Sequence, residues 1–278
     1  MKPSRFEYER PTTLADAIAL NRREDLVVKI LAGGQSLGPM LNLRLAQPDL
    51  IVDITRIPEL KRVELTVDAI IVGACVTHAN FEDGRIPDVA GGALTEVARG
   101  IAYRAVRTRG TVGGSLAHAD PSADWASSLA AIGAEVILHG PAGQRRLALA
   151  DFIVGVFEVA LLPGEILEAV RIPRLSPRAR FGYYKVCRKT GELAQAIGAV
   201  LQDPERAVFR ATIGATGSKP IVIADASSLF ESNSRGERFV FDARAAVRLL
   251  DAAGMTDRFD QQIHVAALKR AIDRADLA

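Results

Sequence analysis

Two short stretches of the 278-residue sequence share one arrangement, an apolar segment followed by a glycine pair with a small hydroxyl residue directly behind it. The first is VVKILAGGQSL, residues 27–37, where Ala32, Gly33, Gly34, Gln35, Ser36 and Leu37 form the end of the apolar run and its turn. The second is RGTVGGSLAHAD, residues 109–120, with Thr111, Gly113, Gly114 and Ser115. A glycine pair lets the main chain adopt conformations barred to other residues and lets a ligand approach it closely, so that backbone N–H groups converge on an anion. Ser36, Thr111 and Ser115 add donors without bulk. Two such loops facing one another suit both phosphates of a pyrophosphate with no lysine required, and a dinucleotide is the natural ligand. One copy alone reads as a tight turn; two matched copies weaken that reading. Neither fits the G-x-G-x-x-G fingerprint, and GATGSKP around Gly217 fails the P-loop spacing and runs into Pro220.

Other reactive side chains are sparse. Cys75 and Cys187 stand far apart, without the close partners that a zinc site or iron–sulfur cluster requires, and read as small buried residues. His78, His118, His139 and His264 form no metal-ligand spacing. Tyr183 and Lys185 share one face of a predicted FGYYKVC strand, because side chains alternate with period two.

The elements that must hold these residues are legible in outline. PTTLADAIALNRRE places Leu14, Ala17, Ile18 and Leu20 on roughly one helical face, with Pro11 and Thr12 or Thr13 as start signals. VVKIL then reads as a buried strand, and LIVDIT as another beyond the first glycine turn. The resulting order, strand, helix, strand, glycine turn, helix, strand, is a small α/β unit. VELTV and AIIVGACV are strands, GGALTEVARGI a helix, and the second glycine pair ends a short strand or extended segment. PSADWASSLAAIGA is a helix with Pro121 near its first turn and Trp125, Leu129 and Ile132 on its apolar side. AEVILHG and RRLAL form a hairpin, and ILEAVRIP a strand stopping at Pro173. RIPRLSPRAR, with Pro173 and Pro177 among arginines, is the best domain boundary. Beyond it FGYYKVCRK, IGAVLQ, AVFRATIGATG and KPIVI read as strands, and the tail from DARAAVRLLDAAG is largely helical.

Composition narrows the classes of function. Net charge is +2 from 35 basic and 33 acidic residues, and the basic ones are dispersed, which argues against a nucleic-acid footprint. No stretch approaches the roughly 18 uncharged apolar residues of a membrane span. The N-terminal MKPSRFEYERPTTL carries scattered charges and no apolar h-region, so the expected location is cytoplasmic.

Taken together, Ala32-Gly33-Gly34-Gln35-Ser36-Leu37 with Arg44-Leu45, Pro48 and Asp53, then Arg107-Thr108-Arg109-Gly110-Thr111-Val112-Gly113-Gly114-Ser115 with Ala119-Asp120-Pro121 and Asp124, resemble a known family. They look like the FAD-binding medium subunit of molybdenum hydroxylases of the carbon monoxide dehydrogenase and xanthine dehydrogenase type. The resemblance runs from FEYERP to FGYYKVCRKTGE. It implies an α+β fold: a two-part FAD-binding (PCMH-type) domain over residues 1–175, with subdomains of about 1–55 and 56–175, and a smaller α+β domain with an antiparallel sheet over 176–278. It also implies that both loops grip the FAD pyrophosphate through positions 32–36 and 111–115, and that Asp124 meets the adenosine ribose. A first-turn acid favoured by the helix dipole is the plainer account of Asp124. By the same resemblance Ile101, Tyr183 and Lys185 lie near the isoalloxazine, Tyr183 shielding the ring and Lys185 stabilising negative charge on reduced flavin; the plain alternatives are a solvated strand residue for Lys185, a core residue for Tyr183 and simple packing for Ile101. His118, beside the second loop, is a candidate FAD contact, with a packed or surface histidine as the alternative. Gln35 stands where members often have His, Glu192 replaces the usual Asp after R-x-x-G, and Ala102-Tyr103-Arg104 is atypical. These departures touch the flavin's redox surroundings and leave its binding intact.

The activity so implied is electron transfer: an oxidoreductase subunit whose FAD takes electrons from two [2Fe–2S] clusters in a small subunit, fed by a large molybdopterin-binding subunit, and passes them to an external acceptor. A dimer of heterotrimers is expected. The main alternative is a self-contained FAD-dependent NAD(P)H reductase of the UDP-N-acetylenolpyruvoylglucosamine reductase type, and no counterpart of that enzyme's extra substrate domain is found. A non-catalytic assembly protein would not need both loops intact.

Overall fold

The structure, a computed structural model, describes residues 2–231 and 240–277. The N-terminal sheet has three parallel strands, β1 (Glu7–Glu9), β2 (Val28–Leu31) and β3 (Leu50–Asp53), in the order β1–β3–β2. Parallel pairing needs a crossover connection, and each connection here carries a helix, α1 (Leu14–Asn21) or α2 (Leu37–Asn42). Thr13 starts α1 by accepting the N–H of Asp16 on its side chain, and Leu14, Ala17 and Ile18 are buried. All four residues of β3 are buried, as befits the central strand. β2, predicted to be buried, is an edge strand with Lys29 exposed and Val28, Ile30 and Leu31 only half-buried. The first glycine turn therefore leaves the sheet at an open edge.

The middle sheet is antiparallel. Its strands β4 (Val63–Leu65), β5 (Ala69–Gly73), β6 (Glu135–Gly140), β7 (Gly143–Ala148) and, after a small hairpin of β8 (Ile153–Gly155) and β9 (Glu158–Val159), β10 (Ile166–Pro173) run in the order β4–β5–β10–β6–β7. Between β5 and β6 the chain forms α3 (His78–Glu82), α4 (Ala93–Gly100), α5 (Arg104–Arg107), α6 (Val112–His118) and α7 (Asp124–Ile132), and a short α8 (Leu149–Phe152) follows β7. Ile70, Val72, Val136, Leu138 and Val170 share one core with Val97, Leu116, Trp125 and Leu129. Each fully buried side chain of this size contributes about 1.5–3 kcal/mol.

The third sheet is antiparallel in the order β11 (Arg180–Val186), β12 (Ala196–Asp203), β13 (Val208–Gly214), β14 (Ile221–Ile223). Helix α9 (Ala243–Ala252) and the long α10 (Arg258–Arg274) follow these strands in the sequence. Period-two alternation sends Gly182 and Tyr183 to opposite faces of this sheet. On the Gly182 face α10 approaches so closely that a Cβ at Gly198 would lie 2.6 Å from the Ala267 carbonyl oxygen, and one at Gly182 2.8 Å from Ala275 N. The Tyr183 face receives α7, with Ser127 Cβ 2.9 Å from where a Gly214 side chain would begin. Helix α7 is thus wedged between two sheets. The predicted apolar side, Trp125, Leu129 and Ile132, is buried, and so is every other residue of the helix, Asp124, Ser127 and Ser128 included. Among the described residues no helix is long and apolar enough to cross a membrane.

Candidate functional site

The first glycine turn begins where Leu31 of β2 pairs with Asp53 of β3. Gly34 has φ +71°, a left-handed conformation that favours glycine. The Gln35 side chain donates through Nε2 to the Gly33 carbonyl at 3.2 Å, bracing the turn from outside. Among the described residues, the backbone N–H groups of Gly33, Gly34, Gln35 and Ser36 have no protein acceptor. Successive unspent N–H groups in such a turn make a concave anion site. Ser36 and Gln35 are exposed, and Ala32 and Leu37 half-buried.

The second glycine pair is built differently from the expected extended segment. Gly113 and Gly114 lie in the first turn of α6, because Thr111 caps that helix, accepting the Gly114 N–H on Oγ1 at 3.0 Å. The N–H groups of Val112, Gly113 and Ser115 donate to Val76, Ala74 and Thr111 carbonyls, each at 3.0 Å, so the main chain here is already satisfied. Gly113 has no room for a side chain: a Cβ would sit 2.6 Å from Ala74 Cα, just past the end of β5. Thr111 also forms an isolated antiparallel bridge with Thr77. The two copies therefore play unequal parts, the first with free amides and the second as a close wall carrying the Ser115 hydroxyl.

The two segments do face one another. A Cβ on Gly33 would stand 2.7 Å from Gly110 Cα and nearer still to the Arg109 carbonyl oxygen, while one on Gly114 would stand 3.7 Å from Ala32 Cβ. Glycine at position 33 is what permits main chain to meet main chain.

At the N-terminus of α7, Asp124 gathers the remaining candidates. Tyr183 donates its hydroxyl to Asp124 Oδ1 at 2.5 Å; Lys185 Nζ lies 3.0 Å from Oδ1 and 3.1 Å from Oδ2, and donates to the Gly100 carbonyl at 3.1 Å. Lys185 is no solvated strand residue: its side chain is 8% exposed and that of Asp124 5%. Burial first, and the Asp124 charge second, push the Tyr183 phenol well above its ordinary range, so it remains a donor. Both Asp124 oxygens are engaged inside the protein, and the three side chains form one unit.

Ile101 follows Gly100 directly and packs against the middle core. Its carbonyl, with that of Ala102, accepts from Arg107 Nη1 at 2.8 Å, while the rest of the Arg107 guanidinium clasps Glu82. Ala102 is left-handed at φ 44°, and a Cβ at Gly191, itself at φ +89°, would lie 2.7 Å from its carbonyl oxygen. Glu192 pairs with Arg188 and Lys189 in the same loop. The half-buried His118 packs its ring on Phe157, centroids 4.9 Å apart, and burial lowers its pKa. Sequence reasoning missed His78, which accepts the Trp125 indole N–H at 3.0 Å, and gave no role to Arg107. Arg107 had a signal in the R-x-x-G-T-V-G-G-S string, whereas a lone histidine had none.

Residues 4–175 match the family model described as the FAD binding domain in molybdopterin dehydrogenase. The chain is 36% identical over 72% of its length to the carbon monoxide dehydrogenase medium chain of Hydrogenophaga pseudoflava, of which it covers 70%. It is 32% identical to the caffeine dehydrogenase subunit beta of Pseudomonas sp. (strain CBB1), over 99% of this chain and 96% of that one. Its fold superposes with a TM-score of 0.85 and 30% identity on a chain in the structure of Hydrogenophaga pseudoflava carbon monoxide dehydrogenase lacking the Mo-pyranopterin moiety of its molybdenum cofactor, covering 99% and 98% of the two chains. With that extent of agreement along a chain whose two glycine segments already face each other, the protein belongs to the family of FAD-binding medium subunits of molybdopterin dehydrogenases.

Proposed function

We propose that the chain is the flavin subunit of a heterotrimeric molybdenum hydroxylase, passing electrons from the [2Fe–2S] clusters of a small subunit to an external acceptor while a large molybdopterin-binding subunit carries out the substrate chemistry. The observation that carries the reading is the run of unspent N–H groups at Gly33, Gly34, Gln35 and Ser36, set against the backbone of the second glycine segment. These amides bind the pyrophosphate, with the Ser36 and Ser115 hydroxyls beside them and Ala32, Leu37, Thr111, Gly113 and Gly114 shaping the walls. FAD, when bound, supplies the ability to collect electrons one at a time from one-electron carriers and to hold two for an acceptor.

Ile101, Tyr183 and Lys185 border the ring in this reading. The Tyr183 hydroxyl is committed to Asp124, which leaves its ring as the shielding surface. Lys185 acts as half of a neutral buried pair, so Asp124 moderates the positive charge felt at the ring and holds Lys185 in place. This replaces a direct ribose contact for Asp124. The 1–175 and 176–278 division belongs to the same proposal, with Asp124 on one side and Tyr183 and Lys185 on the other. So do a dimer of heterotrimers and a cytoplasmic location, the latter consistent with two free cysteines.

The test is to co-express the chain with its neighbouring iron–sulfur and molybdopterin subunits, identify the released cofactor, and follow flavin bleaching on adding substrate. Bleaching that requires both partners supports the reading. Flavin that stays oxidised when substrate is added to the three subunits together would overturn it.

A further inference from the structure

His78 is buried, 5% exposed, and lies outside every contact invoked so far for the cofactor. It opens α3, directly after Thr77, whose backbone bridges Thr111. Its own backbone N–H donates to the Gly110 carbonyl at 2.9 Å. Its Nδ1 accepts from Trp125 Nε1 at 3.0 Å, which makes it a neutral imidazole with its proton on Nε2. Trp125 is itself pinned, its ring 4.8 Å from that of Phe81. So oriented, the imidazole presses on the second glycine segment: a Cβ at Gly110 would stand 2.8 Å from His78 Nε2 and 2.9 Å from Cδ2. Gly33 packs against the same residue: a Cβ on Gly33 would stand 2.7 Å from Gly110 Cα. Gly110 is therefore in close contact with both His78 and Gly33, and His78 is held by the residue next to Asp124.

We propose that His78 is a positioning residue of the FAD site: its imidazole, locked by the Trp125 indole, is the spacer that sets how far the second glycine segment stands from the amides of the first. The inference rests on the reading of those segments as the pyrophosphate cradle. Without the imidazole behind it, Gly110 retreats from Gly33 and the cradle widens, whereas the amides themselves are untouched. A loosened supporting contact of this kind weakens binding without removing a ligand contact.

These contacts make a compensation test possible. Gly110 has none of the positive φ that would forbid alanine, so the Gly110→Ala methyl is resisted mainly by His78, with the Val106 carbonyl oxygen 3.2 Å away. FAD dissociation constants would be measured on the full-length apo chain by flavin fluorescence, with far-ultraviolet circular dichroism to confirm folding. His78→Ala is expected to weaken FAD on the order of tenfold, and Trp125→Phe, which removes the indole donor together with part of the buried ring system, by a smaller factor. Gly110→Ala should also bind weakly, and His78→Ala/Gly110→Ala should bind more tightly than Gly110→Ala, because the methyl fills the space vacated. His78→Ala should not rescue Gly33→Ala, whose clash is with backbone. Wild-type affinity in both His78→Ala and Trp125→Phe, or a double variant no better than Gly110→Ala, would overturn the proposal; should His78→Ala not fold, Trp125→Phe decides. Undiminished FAD binding by Gly33→Ala would instead sink the cradle reading itself.

Discussion

Lys185 Nζ lies 3.0 Å from Asp124 Oδ1, and both side chains are more than nine-tenths buried although 61 positions separate them. A buried ion pair contributes little net stability when whole, but removing one partner leaves an uncompensated charge and costs about 3–5 kcal/mol. Asp124→Asn and Lys185→Met should each destabilise the chain by that order in urea unfolding. The double variant should cost clearly less than their sum, and strict additivity would show that the two side chains do not interact.

Thr111 carries the start of α6 on one oxygen. Thr111→Val keeps the shape and deletes the acceptor of the Gly114 N–H, so a loss of about 1 kcal/mol is expected, together with weaker FAD retention on gel filtration. Thr111→Ser should restore both. A valine variant with unchanged stability would mean that the cap is not formed.

Arg107 distributes its donors between Glu82 and the carbonyls of Ile101 and Ala102, a fork geometry that lysine cannot reproduce. Arg107→Lys should cost roughly 1–3 kcal/mol and loosen the 100–103 turn, read as faster amide exchange there. Unchanged exchange would place the guanidinium outside the support of that turn.

Acid sensitivity follows from His78. Burial, and then the nearby Arg107 charge, push its pKa from 6.5 to about 4. The folded protein holds the imidazole neutral while the unfolded chain takes up the proton, so this contribution is complete above about pH 6.5 and lost as pH falls toward 4. Between pH 7 and pH 4.5 the wild type should lose roughly 2–3 kcal/mol more than His78→Gln. The window lies above that of the carboxylates held low by arginines, such as Glu82, whose contribution fades only below the unfolded carboxylate range. Parallel pH profiles for the two proteins would contradict the assignment.

Much of this was readable beforehand, and the misses have physical causes. The small α/β unit of β1 to β3, the strands β11 to β14 and the helical tail followed from periodicity and turn residues, whereas the antiparallel pairing of β11 to β14 was implied by the family resemblance. The register of β2 at an edge did not, because apolar content alone cannot distinguish an edge strand from a central one. Gly113 and Gly114 masked the first turn of α6, glycine being the poorest helix former after proline. Alternation placed Tyr183 and Lys185 on one face of β11, but nothing local named Asp124 as the carboxylate they share. The glycine pairs were visible as loops, yet their unequal use of backbone donors depends on Ala74 and Val76, which arrive from a different strand end.

Helix α7 has no wet side. A break in the chain at the proline-rich linker would sever a single peptide bond, yet parting the two fragments would also strip Ser127 of the strand beneath it and leave Asp124 and Lys185 as solitary charges in different pieces. The half that carries the glycine segments is thus not a portable module. Truncation at residue 175 should yield an aggregation-prone fragment, and any transplant of the flavin site into another scaffold must carry the third sheet along with it.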